Sequence, residues 1–346
     1  MKKKLISIVT VMVVALSFCV FNAGTVYAEP KVIIKTQTCY PASGRVAMSL
    51  RFFAEKVDLL TDGEVKIKIY WPGQLVKTKQ GLSAVQKGMI DGLFVASGLY
   101  FSGIVPEMAG GWMPYGWTST DDMADIYYNY GYLDLMREAF DKHGLYYVTL
   151  VSAGSNGFNT KFPVRKLEDL KGKKIRSGGI SGAAVAALGA APVGLAPVEI
   201  YSGLERGTID GTIYPWYGLE DYKYHEVVSS ISTPALFNPG VIDLMFNKKV
   251  WESLDLKYQK AINFAGIQAY YYSKQLDDTD DANIVAFCKA HNVEIINLSD
   301  EELNRFKAAV APLYELHAQK SPACAKQVEI LKNYAEMKAA KSKEKK

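Results

Sequence analysis

Val85-Gln86-Lys87-Gly88-Met89-Ile90-Asp91-Gly92 returns 119 residues later as Leu204-Glu205-Arg206-Gly207-Thr208-Ile209-Asp210-Gly211, with four of the eight positions identical. Each copy ends an amphipathic segment and leads into an apolar one. The first Gly suits the left-handed position that stops a helix, and Ile-Asp-Gly opens the strand that follows. Such junctions are common in α/β proteins, so one copy says little. Two copies with the same four identities are read as two lobes of similar build with a ligand cleft between them.

The flanking sequence supports this. Lys31 to Thr38 is β-rich and reads as a first strand. Gly44 to Leu60 carries Val46, Leu50, Phe53 and Val57 on one helical stripe, and Glu64 to Tyr70 alternates like a half-buried strand. Strand, helix and strand in that order predict α/β architecture. Similar strand patterns recur at 145–152, 173–177 and 293–298. The lobe boundary is placed near Ala153–Asn159. Residues 29–153 then form the first lobe and 154–232 the core of the second. Segments in 233–335 return across both, among them helices at Trp251–Leu276, Asp278–His291 and Ser299–Ala318. Ser299 with Glu302 makes a capping box for the last of these. A Lys-rich stretch, 336–346, reads as a frayed tail.

The 346 residues are 49% hydrophobic and 22% charged, which is globular composition with length enough for two domains. Lys2–Lys4 precede an apolar run from Leu5 to Phe21, and Val26-Tyr27-Ala28 precedes Glu29: residues 1–28 read as an export signal peptide. The run is short for a membrane anchor, and Phe18 before Cys19 disfavours a lipoprotein signal. The mature protein is therefore expected outside the cytoplasm. Without Lys2–Lys4 the chain has 37 basic and 36 acidic residues, no field for nucleic acid. Cys39, Cys288 and Cys324 remain. Their spacing matches no metal motif, and either a Cys288–Cys324 disulfide or buried thiols fits.

Enzyme signatures are absent: no HExxH, no GxSxG and no GxxxxGK[ST]. His143, His225, His291 and His317 are far apart and read as surface or helix-end residues. Asp121-Asp122 and the run Asp277, Asp278, Asp280, Asp281 read as solvated helix starts. Neither metal nor cofactor is expected. Lys173-Lys174-Ile175-Arg176-Ser177-Gly178-Gly179-Ile180-Ser181-Gly182 reads strand, turn, helix. Its glycines do not fit GxGxxG, but Arg176 at a strand end beside a helix N-terminus suits an anion. A guanidinium holds a carboxylate through two parallel bonds. By spacing alone, a surface ion pair explains Arg176 equally well.

The run Leu167–Arg176 resembles the "DLKGKKIR" element of solute-binding proteins of TRAP transporters, the DctP type. Leu188-Gly189-Ala190-Ala191-Pro192-Val193 resembles their "GA-x-PV" element. Glu199 to Gly211 is similar to "E-x-Y-x-A-L-x-x-G-x-x-D-G", with Gly203 in place of Ala, and Trp71-Pro72-Gly73-Gln74-Leu75 to "P-x-x-Q-L". The resemblance implies a two-lobed α/β periplasmic binding protein of type II-like build, with long C-terminal helices packing across both lobes. It implies a monomer that closes on a small carboxylate between its lobes and hands it to membrane permease subunits. It also implies that Arg176 holds that carboxylate.

Departures from the family pattern shape the expected ligand. Asn159 follows Gly157-Phe158 where relatives often carry a second Arg. "DGQENP" becomes Asp210-Gly211-Thr212-Ile213-Tyr214-Pro215, followed by Trp216 and Tyr217, and a charged loop becomes Phe94 to Tyr100. Charge is lost and aromatic surface gained, so the expected ligand is a monocarboxylate with an apolar or aromatic body, such as a branched-chain or aromatic (keto) acid. The expected binding residues are Arg176, Tyr214, Trp216, Tyr217, Phe158, Asn159, Ser97, Thr38 and Tyr40, with Trp112 and Tyr115 as further lining. Core packing of Trp216 and Tyr217 is the alternative. Other functional readings are a ligand-presenting sensor subunit, a dicarboxylate binder and, against the missing motifs, a secreted enzyme.

Overall fold

A computed structural model describes residues 29–344; the export segment read at 1–28 lies outside the described residues. Eleven strands form two sheets: β1 (Val32–Thr38), β2 (Val65–Tyr70), β3 (Gly92–Val95), β4 (Leu145–Ser152), β5 (Asn156–Thr160), β6 (Lys174–Arg176), β7 (Ala191–Val193), β8 (Gly211–Pro215), β9 (Ser230–Thr233), β10 (Val241–Asn247) and β11 (Glu294–Asn297). The first sheet has the order β2-β1-β3-β10-β4 and the second β11-β9-β5-β8-β6-β7.

Written from the other end, the second sheet is β7-β6-β8-β5-β9-β11. Its first five strands repeat the first sheet, with three parallel strands and then an antiparallel one that crosses over from the opposite lobe, and β11 is added at the edge. The repeated octapeptide explains why. Gly88 and Gly207 both take positive φ (71° and 73°), ending helices Gly81–Gln86 and Ile200–Glu205. Each following Asp then clamps the neighbouring strand: Asp91 Oδ2 accepts the Lys35 N–H at 2.8 Å, and Asp210 Oδ2 accepts the Lys174 N–H at 2.8 Å. Gly92 and Gly211 open the central strands β3 and β8.

The chain passes between lobes twice side by side, at 152–156 and 233–241. These crossings are bonded together, with Ala153 N–H donating to Gly240 O at 2.9 Å and Asn156 N–H to Phe237 O at 2.8 Å. A 35-residue helix, Leu256–Ala290, lies against helix Arg45–Leu60 and β4 of one lobe and reaches β11 of the other. Helix Arg45–Leu60 buries the predicted stripe of Val46, Leu50, Phe53 and Val57; each such side chain contributes roughly 1.5–3 kcal/mol.

Four expectations are corrected. Trp251–Leu276 and Asp278–His291 are not separate helices: short Lys248–Glu252 stands alone and one helix runs through the acidic run, because Asp277 there is buried against the crossing and does not start anything. Ser299–Ala318 is instead two helices, Asp300–Val310 and Pro312–Ala318, divided at Pro312, which has no N–H to continue the first. Ser299 does accept the Glu302 N–H, but the Glu302 carboxylate turns to Leu167 N–H at 3.0 Å. The Lys-rich end is helical to Glu344, with Lys338 Nζ 2.6 Å from Asp122 Oδ1 of the first lobe. His317 is buried, its Nε2 2.8 Å from Gln327 Oε1. The open cysteine question resolves as three buried free thiols. No helix among the described residues is long and apolar enough to cross a membrane.

Candidate functional site

Arg176 is the last residue of β6, and its side chain is only 6% exposed. It projects into a cavity walled by both lobes. Tyr40, Leu99, Tyr100, Trp112 and Ile242 come from the first; Ser181, Pro197, Tyr214 and Tyr217 come from the second. Arg176 Nε donates to Leu195 O at 3.1 Å and Nη2 reaches Tyr100 Oη at 3.5 Å. The guanidinium also lies 5.9 Å from the centre of the Tyr214 ring. Among the described residues no carboxylate pairs with it. A guanidinium has five N–H donors, so these contacts leave most of them for another acceptor. A buried charge left unpaired costs several kcal/mol.

Aromatic rings close around it. Tyr214 packs edge-on against Tyr217, Tyr222 and Tyr224, with centroids 5.4–6.2 Å away. Burial holds the Tyr40, Tyr214 and Tyr217 phenols far above their ordinary range, so all three are neutral donors. Burial also pushes the neighbouring Cys39 thiol up to about 12, against the opposing pull of Arg176. Among the described residues the buried Tyr224 hydroxyl has no hydrogen-bond partner.

The lobes are drawn together. The cavity holds about 20 Å³, room for roughly one water, so an organic acid enters only as the lobes part or the side chains shift. The helix Gly179–Ala187 that follows Arg176 starts against the first lobe. Gly179 has φ 51°, and a Cβ there would lie 2.3 Å from Gly98 O and 2.9 Å from Leu99 O. Beyond the cavity, Arg45 N–H donates to Asp221 Oδ2 at 2.9 Å across the cleft mouth, and its guanidinium contacts Glu220 and Asp280.

The other expected residues divide into supports and outsiders. Thr38 Oγ accepts the Tyr40 N–H at 3.2 Å, so it positions Tyr40. Ser97 donates its Oγ–H to Asp243 Oδ2 at 2.5 Å and its N–H to the same oxygen at 3.1 Å, pinning the turn that carries Leu99 and Tyr100. Burial pushes that Asp243 carboxyl up to about 6. Asn159, Thr212 and Arg176 form one cross-strand row, but Asn159 does not reach the cavity; its Nδ2 donates to Tyr214 O at 2.9 Å. Phe158, on the opposite face of β5, packs edge-on against Phe306. Trp216 lines a separate recess with Arg45, Glu220 and Phe287. Trp112 lines the cavity while its indole N–H donates to Val241 O at 2.7 Å. Tyr115 faces a larger cavity of about 680 Å³ between loop 114–118 and the C-terminal helices. The sequence reading missed Tyr100, Asn156, Ser181 and Pro197 in the cavity, and Tyr222 and Tyr224 beside Tyr214. The aromatic run Tyr214 to Tyr224 was the signal for the last two.

The chain resembles known binding proteins over most of its length. A monocarboxylate 2-oxoacid-binding periplasmic protein from a Nostoc species is 26% identical over 312 residues, covering 87% of this chain and 84% of the relative. A TRAP periplasmic solute-binding protein from Rhodobacter sphaeroides, solved open and ligand-free, is 29% identical, with a TM-score of 0.69 over 89% of this chain and 98% of that one. One from Bordetella bronchiseptica, solved with calcium and picolinate in one of its sites, is 24% identical, with a TM-score of 0.84 over 90% and 94%. Ligands named for other relatives include ectoine and galacturonate. The model of bacterial extracellular solute-binding protein family 7, DctP, matches residues 40–321. With its two matched sheets and a cleft between them, the chain belongs to this family of TRAP-transporter solute-binding proteins and is not an enzyme.

Proposed function

We propose that this protein captures a monocarboxylate with an apolar or aromatic body in the periplasm and delivers it to a membrane permease. The observation that carries the reading is Arg176: a buried guanidinium, without a carboxylate partner among the described residues, in an aromatic cavity shared by two lobes. One carboxylate on Arg176 forms two charge-assisted bonds, each contributing ~1.5–3 kcal/mol. Those bonds supply a large part of the ~8 kcal/mol behind a micromolar affinity. Burial of an apolar body against Tyr40, Tyr214 and Tyr217 supplies much of the rest, with stacked or edge-on rings adding ~0.5–1.5 kcal/mol per pair. Among the described residues no second cation lines the cavity, which disfavours a dicarboxylate. The 2-oxoacid binder among the relatives points the same way.

The test is native mass spectrometry of protein taken from the periplasm, with release and identification of the bound molecule, followed by a thermal-shift panel. Branched-chain and aromatic acids and their 2-oxo forms are expected to stabilise the protein. Stabilisation by dicarboxylates or sugar acids alone would overturn the specificity.

A further inference from the structure

The acidic run at 277–281 sits at the hinge. Ser273, Asp277 and Asp281 lie four residues apart, on one face of helix Leu256–Ala290, and all three hold the first crossing. Ser273 Oγ accepts the Ser152 N–H at 2.9 Å, Asp277 Oδ2 the Gly154 N–H at 3.0 Å, and Asp281 Oδ2 the Ser155 hydroxyl at 2.8 Å. Ser155 Oγ also lies 2.9 Å from Asn238 Oδ1 of the second crossing.

Asp277 is covered from both lobes. It shares a small cleft with Arg45, Val46 and Ser49 of the first lobe and Tyr217 of the second. A methyl group on Gly154 would lie 3.2 Å from Asp277 Oδ1 and 3.5 Å from the Tyr217 ring, so the crossing, the carboxyl and the ring meet at one point. Tyr217 also lines the Arg176 cavity. Asp277 is therefore covered jointly by residues of both lobes in this conformation.

We propose that Asp277 is a positioning residue for the ligand site, coupling the uptake of one proton to lobe closure through Tyr217 and the 152–154 crossing. The proposal rests on the reading that the protein closes on its ligand. The charged groups and titratable phenols facing Asp277 are Asp278, Asp281 and Tyr270 on its own helix, Arg45 from the first lobe and Tyr217 from the second. Arg45 is engaged by Asp221 and Asp280. In the closed form burial pushes the Asp277 carboxyl up to about 7; the Ser152 and Gly154 bonds oppose this, and the Asp281 and Asp278 charges reinforce it. A group with a higher pKa in the closed form favours closure when protonated. Lower pH therefore favours the closed, ligand-holding state, and the effect fades as pH rises through 7.

The experiment is small-angle scattering of the ligand-free protein from pH 5.5 to 8.5, with calorimetry of 4-methyl-2-oxopentanoate at pH 6 and pH 8. Wild type is expected to become more compact on acidification, with binding up to about tenfold tighter at pH 6 than at pH 8. Asp277→Asn, which keeps size and one acceptor but cannot titrate, should lose both trends. Ser152→Ala, which removes a donor to the charged form, should move the midpoint upward. It decides the matter if Asp277→Asn does not fold. A pH-independent wild-type radius, or an unchanged profile in Asp277→Asn or Ser152→Ala, overturns the proposal. If the pH-dependent compaction appears but 4-methyl-2-oxopentanoate does not bind, the ligand reading fails and the role of Asp277 stands.

Discussion

Replacing Arg176 with Met separates a binding residue from a structural one. Met keeps the unbranched stem of the side chain and removes the guanidinium and its charge. Two charge-assisted bonds to the ligand carboxylate are lost, together worth about 3–6 kcal/mol. The dissociation constant should rise roughly 10²–10⁴-fold. The ligand-free protein should respond in the opposite direction. Arg176 is 6% exposed, and among the described residues its guanidinium has hydrogen bonds to Leu195 O and the Tyr100 hydroxyl and a ring contact with Tyr214. Removing an unpaired buried charge, less the lost bond to Leu195 O, should stabilise the free protein by about 1–3 kcal/mol. Calorimetry with the acid recovered from the periplasmic protein gives the first quantity, and urea unfolding of the ligand-free protein gives the second. Binding within threefold of wild type would refute the assignment. So would a variant whose free form is several kcal/mol less stable, since Arg176 would then be holding the lobe together.

Three further outcomes follow from the same geometry. Gly179→Ala puts a methyl 2.3 Å from Gly98 O at φ 51°, so the lobes should stay parted in scattering and affinity fall more than about tenfold, since closure contacts are lost; wild-type affinity would show the contact is not needed for closure. The Asp243 carboxyl is pushed up to about 6 by burial, so it favours the folded protein when protonated. The stability of wild type relative to Asp243→Asn should fall as pH rises from 4 to 6 and level off above, by at most about 3 kcal/mol; a difference constant across that range contradicts this. Cys39, Cys288 and Cys324 are buried free thiols, so a thiol reagent should label none in the native mature protein and all three in denaturant; a missing pair after unfolding would reveal a disulfide.

Much of the fold was legible because backbone demands show in sequence. Gly88 and Gly207 occupy left-handed positions that few other residues tolerate, and the Asp that follows each has a defined strand to clamp. The repeat therefore exposes two matched sheets. Long-range partners leave no such mark. Asp277 looked like a solvated helix start because nothing nearby in sequence announces Gly154, 123 residues away. Lys338 looked like tail because its partner, Asp122, lies 216 residues away. The site divides the same way. Arg176 stood out as a cation where a strand ends, a place where open α/β sheets bind ligands. The aromatic run did not separate its members: the chain turns after Pro215 into the short helix Gly218–Asp221, so Tyr217 reaches the cavity and Trp216 lines another recess. Tyr100 meets Arg176 only through the approach of the lobes.

The most direct measurement is a crystal structure of the protein carrying the molecule it retains from the periplasm. The ligand carboxylate should accept two guanidinium N–H bonds from Arg176 at about 2.7–2.9 Å, with its body against Tyr40, Tyr214 and Tyr217. A carboxylate turned away from Arg176, or a ligand seated in the larger cavity beside Tyr115 and Lys307, would contradict the account.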